Sequence, residues 1–184
     1  MSAARLRAVR PEDAPAVLDA FRGAGMDRQG EVHTLQDAER WVETMTRAGG
    51  PRFARAIDVG GTLVGAVGLS SIDATNRTGW FWYWLHEDHR GRGLMTAAAA
   101  TLAGWALADG GLDRLELGHR ANNPASGAVA SAAGFVHEGV EREKFLIDGQ
   151  RVDVLTYGRL SSDPEPATAR LGWEPGPPEP LVQR

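Results

Sequence analysis

Residues 80–96 read WFWYWLHEDHRGRGLMT, and the fold is decided there. The first six of them, residues 80–85, are apolar or aromatic without exception. A strand of that kind has to be covered on both faces, which predicts a place near the middle of a sheet. Alternation puts Trp80, Trp82 and Trp84 on one face and Phe81, Tyr83 and Leu85 on the other. Most of this stripe reads as core, while Tyr83 and Trp84 at the strand's end are candidates to border a substrate pocket. Arg90-Gly91-Arg92-Gly93 follows, and then Leu94, Ala98, Leu102 and Trp105 recur at helical spacing. Glycines let the backbone turn with its amides outward, and a helix N-terminus offers unpaired N–H groups and a partial positive charge. With the charge of Arg90 and Arg92 added, the turn is expected to cradle a pyrophosphate. It is neither of the two standard phosphate loops. No GxxxxGK run exists, and a dinucleotide fingerprint would need glycine where Thr96 stands.

Upstream, Pro11 with Glu12 and Asp13 opens a short helix carrying Val17, Leu18 and Phe21, which stops near Gly23 and Gly25. Thr34 with Asp37 predicts a capping box for a second helix, through Trp41, Val42 and Met45 to Gly49-Gly50. Two strand-like runs, 52–59 and 62–72, meet at Gly60-Gly61 as a hairpin. Downstream, the helix after the glycine turn is expected to end near Gly110-Gly111. A strand over 112–117, a small-residue helix over 124–133 stopped by Gly134, and strands over 135–140 and 152–160 complete the order. Hairpins mixed with strand–helix–strand crossovers predict the α/β (α+β) class: a mostly antiparallel mixed sheet, a parallel pair near its centre, and about four helices. Residues 1–160 are expected to form one domain. Residues 161–184 hold six of the ten prolines and are expected to be a tail, with Trp173 as the residue suited to dock it.

The composition narrows the chemistry. The 184 residues are long enough for one sizeable core, with 42% hydrophobic and 24% charged residues and a net charge of −4. Cysteine is absent, which excludes disulfides, thiolate metal sites and a cysteine nucleophile. The five histidines are scattered without ligand spacing, so no metal site is expected. No apolar run approaches the roughly 20 residues of a membrane helix, and residues 1–10 lack the apolar core of a secretory signal. A soluble, cytoplasmic protein without a membrane or nucleic-acid partner is the expectation. Nineteen arginines against the single Lys144 read as base composition.

The combination WLHEDHRGRGLM, LELGHRANNPAS and AAGFVHEG, in that order, resembles the GNAT superfamily of acyl-CoA-dependent N-acyltransferases. It is most similar to the branch that acetylates the N-terminal amine of ribosomal proteins, and the opening LRAVRPEDAPAVL and closing VDVLTYGRL extend the likeness over residues 4–160. The resemblance implies acetyl-CoA as cofactor, with CoA as product, and an amine acceptor, either a peptide N-terminus or a small molecule. It leaves open a homodimer, a longer acyl group such as succinyl held by Arg120 or Arg142, and a non-catalytic acyl-CoA-binding module.

By the same resemblance, Arg90, Gly93 and Met95 fall on the defined positions of the family's phosphate loop, where Met95 replaces a small residue. Gly91, Arg92, Leu94 and Thr96 complete the cofactor-binding turn. The pantetheine arm would pair with backbone near Trp84, Leu85 and His86, with an amide around Leu85 polarising the thioester carbonyl. Asn123 would hold the cofactor arm and Ser126 would face its sulfur, although an Asn-Pro-x-Ser run is also a plain helix start. The tyrosine that many members use for protonating the thiolate is missing, because Ala130 stands at its position. Some members carry a glutamate where Gly118 stands here, so Glu116, two residues earlier on the same face, is the expected base. His119, His86, Glu138, Glu141 and Glu143 are the other candidates, and His33 is placed in a variable acceptor loop.

Overall fold

A computed structural model describes residues 4–26, 29–47 and 51–183. Three segments build the first half of the sheet: β1 (Arg5–Arg7), β2 (Phe53–Val59) and β3 (Thr62–Asp73). Pro11–Asp13 forms a 3-10 turn leading into α1 (Ala14–Phe21), and α2 spans Leu35–Thr46. The predicted capping box is present, because the Thr34 hydroxyl accepts from the Asp37 amide and the Asp37 carboxylate accepts from the Thr34 amide. The expected end of that helix at Gly49-Gly50 lies outside the described residues. The aromatic run forms β4 (Thr78–Leu85), and α3 (Leu94–Ala108) follows the glycine turn. Then come β5 (Arg114–Arg120), α4 (Pro124–Ala132), β6 (Val136–Ile147) and β7 (Gln150–Leu160).

An eighth strand, β8 (Gly172–Glu174), lies in the segment expected to be a tail. The strand order is β6-β7-β5-β4-β3-β2-β1-β8. Neighbours are antiparallel except β4 with β5 at the centre and β1 with β8 at the edge. The expected mixed sheet with a central parallel pair is therefore observed, with four α-helices among the described residues. None of those helices is long and apolar enough to cross a membrane.

Two expectations are extended. The segment 161–184 is expected as a tail with Trp173 suited to dock it; Trp173 packs edge-on against Trp105 at 5.9 Å, and the Leu171 amide donates to the Thr101 hydroxyl at 2.8 Å. Further along, the Leu181 amide donates to the Gly110 carbonyl at 2.9 Å, and Val182 is buried. Prolines remove donors but leave the non-proline residues between them free to anchor the chain. Strand β5 also runs three residues past its expected end. Its period-two burial continues through His119, which packs on Tyr157 at 5.3 Å.

The sheet carries one core on each face. Phe81, Leu85, Leu115, Leu117 and the apolar length of α3 fill one. Val17, Phe21, Val42 and Trp84 fill the other beneath α1 and α2, as the alternation along residues 80–85 predicts. Buried Arg7 ties the N-terminal strand to both neighbouring elements. It donates from Nε to Asp58 at 2.7 Å, and from its two terminal nitrogens to the Asp13 carboxylate at 2.8 and 2.7 Å.

Burial alone would raise the Asp58 carboxyl, but donation from Arg7 and the Gly61 amide, with Arg5 adjacent, holds it below the ordinary carboxylate range. A carboxyl depressed in the folded state stabilises above its unfolded pKa and stops doing so as pH falls through the folded value. Replacing Arg7 with leucine leaves the buried Asp13 carboxylate without its arginine and Asp58 with Arg5 alone, at a cost of about 3–5 kcal/mol in urea unfolding at pH 7. The gap between variant and wild type is expected to narrow below about pH 4, where the unfolded carboxylates protonate.

Candidate active site

Strands β4 and β5 are hydrogen-bonded at only three register positions, Thr78↔Arg114, Gly79↔Leu115 and Trp80↔Glu116. Beyond them β4 stays with β3 as far as Leu85 and β5 stays with β7 as far as Arg120, so the two strands part. A cavity of about 460 Å³ occupies the split. Its walls come from both faces of the sheet: Tyr83, Leu117 and Ser126 on the α4 side, Trp41, Met45 and Trp82 on the α2 side.

The ladder between β3 and β4 decides which backbone groups look into the split. His86 donates its amide to the Val64 carbonyl at 2.8 Å, so its backbone faces β3. In an antiparallel ladder successive residues alternate direction. Trp84 therefore also faces β3, while Leu85, Tyr83 and Phe81 present their backbone groups toward β5. Of the three residues expected to offer backbone to a ligand, Leu85 is the one so oriented. Its carbonyl already accepts from Arg90 Nε at 3.2 Å, which leaves the amide.

The glycine turn follows as expected. Gly91 and Gly93 have φ of 75° and 72°, a left-handed conformation that favours glycine. Gly93 caps α3 without any side-chain hydrogen bond, so the amides of Leu94, Met95 and Thr96 lack a side-chain acceptor. Arg90, Gly91, Arg92 and Gly93 are exposed. Met95 points into the core at 7% exposure, so its bulk does not crowd the turn.

Asn123 caps α4, its side-chain oxygen accepting from the Ser126 amide at 3.3 Å, and both residues line the cavity. Tyr83 reaches across the split from β4. Its hydroxyl donates to the Ser126 carbonyl at 2.8 Å and lies 2.9 Å from Ser126 Oγ. Because a carbonyl only accepts and a phenol has one proton, the serine hydroxyl is the donor in the second contact. Burial pushes the Tyr83 phenol up to about 12, so it stays protonated at neutral pH. Sequence reasoning placed Tyr83 beside a pocket but missed its bond to Ser126. The signal was there in the alternation, which sets Tyr83 on the face opposite the tryptophans.

The structure does not bring Glu116 to the cavity. Its carboxylate accepts from Arg114 Nε at 2.8 Å, and Arg114 also holds Glu138. Arg114 thus captures both acids, Glu116 from its own strand and Glu138 from β6. Glu141 is paired with Lys144, Glu143 is exposed, and His86 faces Asp19 at 3.3 Å. His33 is exposed and contributes its amide to Asp37. His119 alone among the candidate bases lines the cavity. Its Nδ1 lies 2.9 Å from the Arg120 carbonyl and is the donor there, and its Nε2 lies 3.4 Å from the Tyr157 hydroxyl. Arg120 lines the cavity, whereas Arg142 does not. Among the described residues no group of three or more histidines and acids is placed to hold a metal.

A family model described as the acetyltransferase (GNAT) domain matches residues 4–136. The chain belongs to this family. Among curated GNAT relatives, the ribosomal-protein-serine acetyltransferase of Escherichia coli (strain K12) is 32% identical over 98 residues, 53% of this chain and 55% of that protein. The chain spans little more than half the length of the curated relatives it matches. Two solved structures share the GNAT fold. The ribosomal L7/L12 alpha-N-protein acetyltransferase RimL in complex with coenzyme A has a TM-score of 0.77 at 22% identity, covering 87% of this chain and 95% of that one. The microcin C7 self immunity acetyltransferase MccE, in complex with acetyl-CoA and AMP, has a TM-score of 0.77 at 20% identity, covering 87% and 93%.

Asn123 serves the fold whatever else it does. Asn123→Ala is expected to lower thermal stability by about 1 kcal/mol through loss of the α4 cap, while Asn123→Asp retains most of it.

Proposed function

We infer that this chain is an acetyl-CoA-dependent N-acetyltransferase acting on a primary amine, either a peptide N-terminus or a small molecule. One observation carries the reading: a split between the central parallel strands whose β4 side runs on through a glycine turn into the N-terminus of α3, and whose wall holds a serine–tyrosine hydroxyl pair. The residues fit the cofactor's parts. Arg90 and Arg92 would hold the pyrophosphate with the amides of the glycine turn and the first turn of α3. Backbone of Phe81, Tyr83 and Leu85 would pair with the amides of the pantetheine arm, and Asn123 flanks its path. We assign this work to residues 1–160, with the C-terminal segment as a structural strap.

Acetyl-CoA supplies an acyl group activated as a thioester. The amine nitrogen forms the new C–N bond as the C–S bond breaks; one proton leaves the nitrogen and one reaches the sulfur. The Leu85 amide donates to the carbonyl oxygen as negative charge gathers there. Ser126 would turn its hydroxyl from Tyr83 to give a proton to the departing sulfur, while the Tyr83 phenol, which stays protonated, donates a hydrogen bond to the serine oxygen. The proton taken from the nitrogen returns to the serine through solvent. Tyr83 thus supports, from β4, a step for which Ala130 has no hydroxyl. His119, the candidate base that lines the cavity, would receive the nitrogen's proton.

The cradle is tested by calorimetry with CoA. Arg90→Glu combined with Gly93→Asp is expected to weaken binding at least about 100-fold, from one reversed charge and one added charge at the anion site. A folded double variant that binds CoA normally would overturn the assignment.

Turnover is read as thiol release from acetyl-CoA and from succinyl-CoA, with mass spectrometry of the candidate amines. Ser126→Ala is expected to lower kcat by about 100-fold at unchanged CoA affinity. Tyr83→Phe is expected to lower it by about tenfold, the size of one hydrogen bond to developing charge. Equal losses in kcat and CoA affinity would remove the proton-transfer role.

A further inference from the structure

The α2 side of the cavity is built unlike the cofactor side. Trp41, Trp80, Trp82 and Trp84 all line it. Trp41 meets Trp82 and Trp84 edge-on at 6.5 and 5.8 Å, which fixes the rings as walls. Two glycines make room for the others. A Cβ on Gly68 would sit 2.4 Å from the Trp82 ring, and one on Gly118 would sit 3.3 Å from the Trp80 ring. The position where some family members carry a glutamate is therefore covered by indole.

Charge points the same way. Arg52 and Arg120 line the cavity, and among the described residues no aspartate or glutamate does. Arg52 is exposed at the cavity's edge and has no carboxylate partner among the described residues. Positive charge beside low-dielectric aromatic walls repels a polycation and attracts an anion. The same field disfavours an ammonium and favours the free amine, the form that reacts.

We propose that the acceptor is a small amine with a flat aromatic body and an anionic group, and that Arg52 selects for the anion. This rests on the acetyltransferase reading above and narrows its acceptor. The ring stacks among the tryptophans and the carboxylate or phosphate pairs with Arg52. Polyamines, which carry charge of the wrong sign along their whole length, are excluded.

Acetylated products used as ligands read the acceptor side without requiring turnover. Calorimetry with the full chain would compare N-acetyl-L-tryptophan, N-acetyl-O-phosphotyrosine, N-acetyltryptamine and N1-acetylspermidine. At least one of the two anionic ligands is expected to bind about tenfold or more tighter than N-acetyltryptamine, and the tighter of them names the anion. Acetylspermidine is expected to give no saturable heat. Arg52→Ala should cost the favoured anionic ligand about fivefold or more while leaving N-acetyltryptamine unchanged, and Arg52→Lys should restore part of the loss. CoA affinity, measured in parallel, should be untouched by either variant. Equal affinity for neutral and anionic ligands, tight binding of acetylspermidine, or selectivity unaffected by Arg52→Ala would overturn the proposal. Loss of CoA binding in the wild type would instead overturn the acetyltransferase reading.

Discussion

Everything functional in this molecule depends on an incomplete set of backbone hydrogen bonds. A sheet is stable because each strand satisfies both of its neighbours, yet β4 and β5 do so over only three positions before parting. Each is held on its other side, β4 by β3 and β5 by β7, so the split costs register nowhere else. The groups left over on Phe81, Tyr83 and Leu85 form an edge in the middle of the protein. Tyr83 bridges that edge with a side chain instead of a backbone, and in doing so orients the serine at the start of α4. Architecture and chemistry share one constraint.

Local patterns carried the sequence reading a long way. The unbroken aromatic run placed β4 at the centre, Gly91 and Gly93 marked the turn, and Thr34 with Asp37 marked the start of α2, because each signal is complete within a few residues. What escaped was non-local. The role of Glu116 depends on an arginine whose second partner, Glu138, comes from another strand. Tyr83 and Ser126 are 43 residues apart, and alternation sets the face of Tyr83 without naming its partner. In the C-terminal segment the prolines dominated composition, while its docking rests on a few residues such as Leu171, Trp173 and Val182, whose partners lie in and just after α3.

Arginine does several separate jobs on a chain whose net charge is −4. Arg7 uses three nitrogens to hold two carboxylates and a carbonyl, and Arg159 reaches the Ala133 carbonyl at 2.9 Å from a buried position. A planar, multi-donor group suits both places in a way a lysine ammonium does not. Arg90 and Arg92 stand exposed at the helix start, and Arg52 stands exposed beside aromatic rings. The net charge of the protein thus says little about the local charge at either place. Local placement outweighs the sum.

The parallel pairing of β1 with β8 bears on how the chain assembles during synthesis. Strand β1 is made before the other seven strands, but its second neighbour consists of residues 172–174. Domains begin to fold while translation proceeds. Throughout that interval the N-terminal strand has one edge paired to β2 and one edge bare, a state prone to pairing with other chains. Its brevity, three residues, and the arginines at both ends limit that hazard until β8 covers the bare edge.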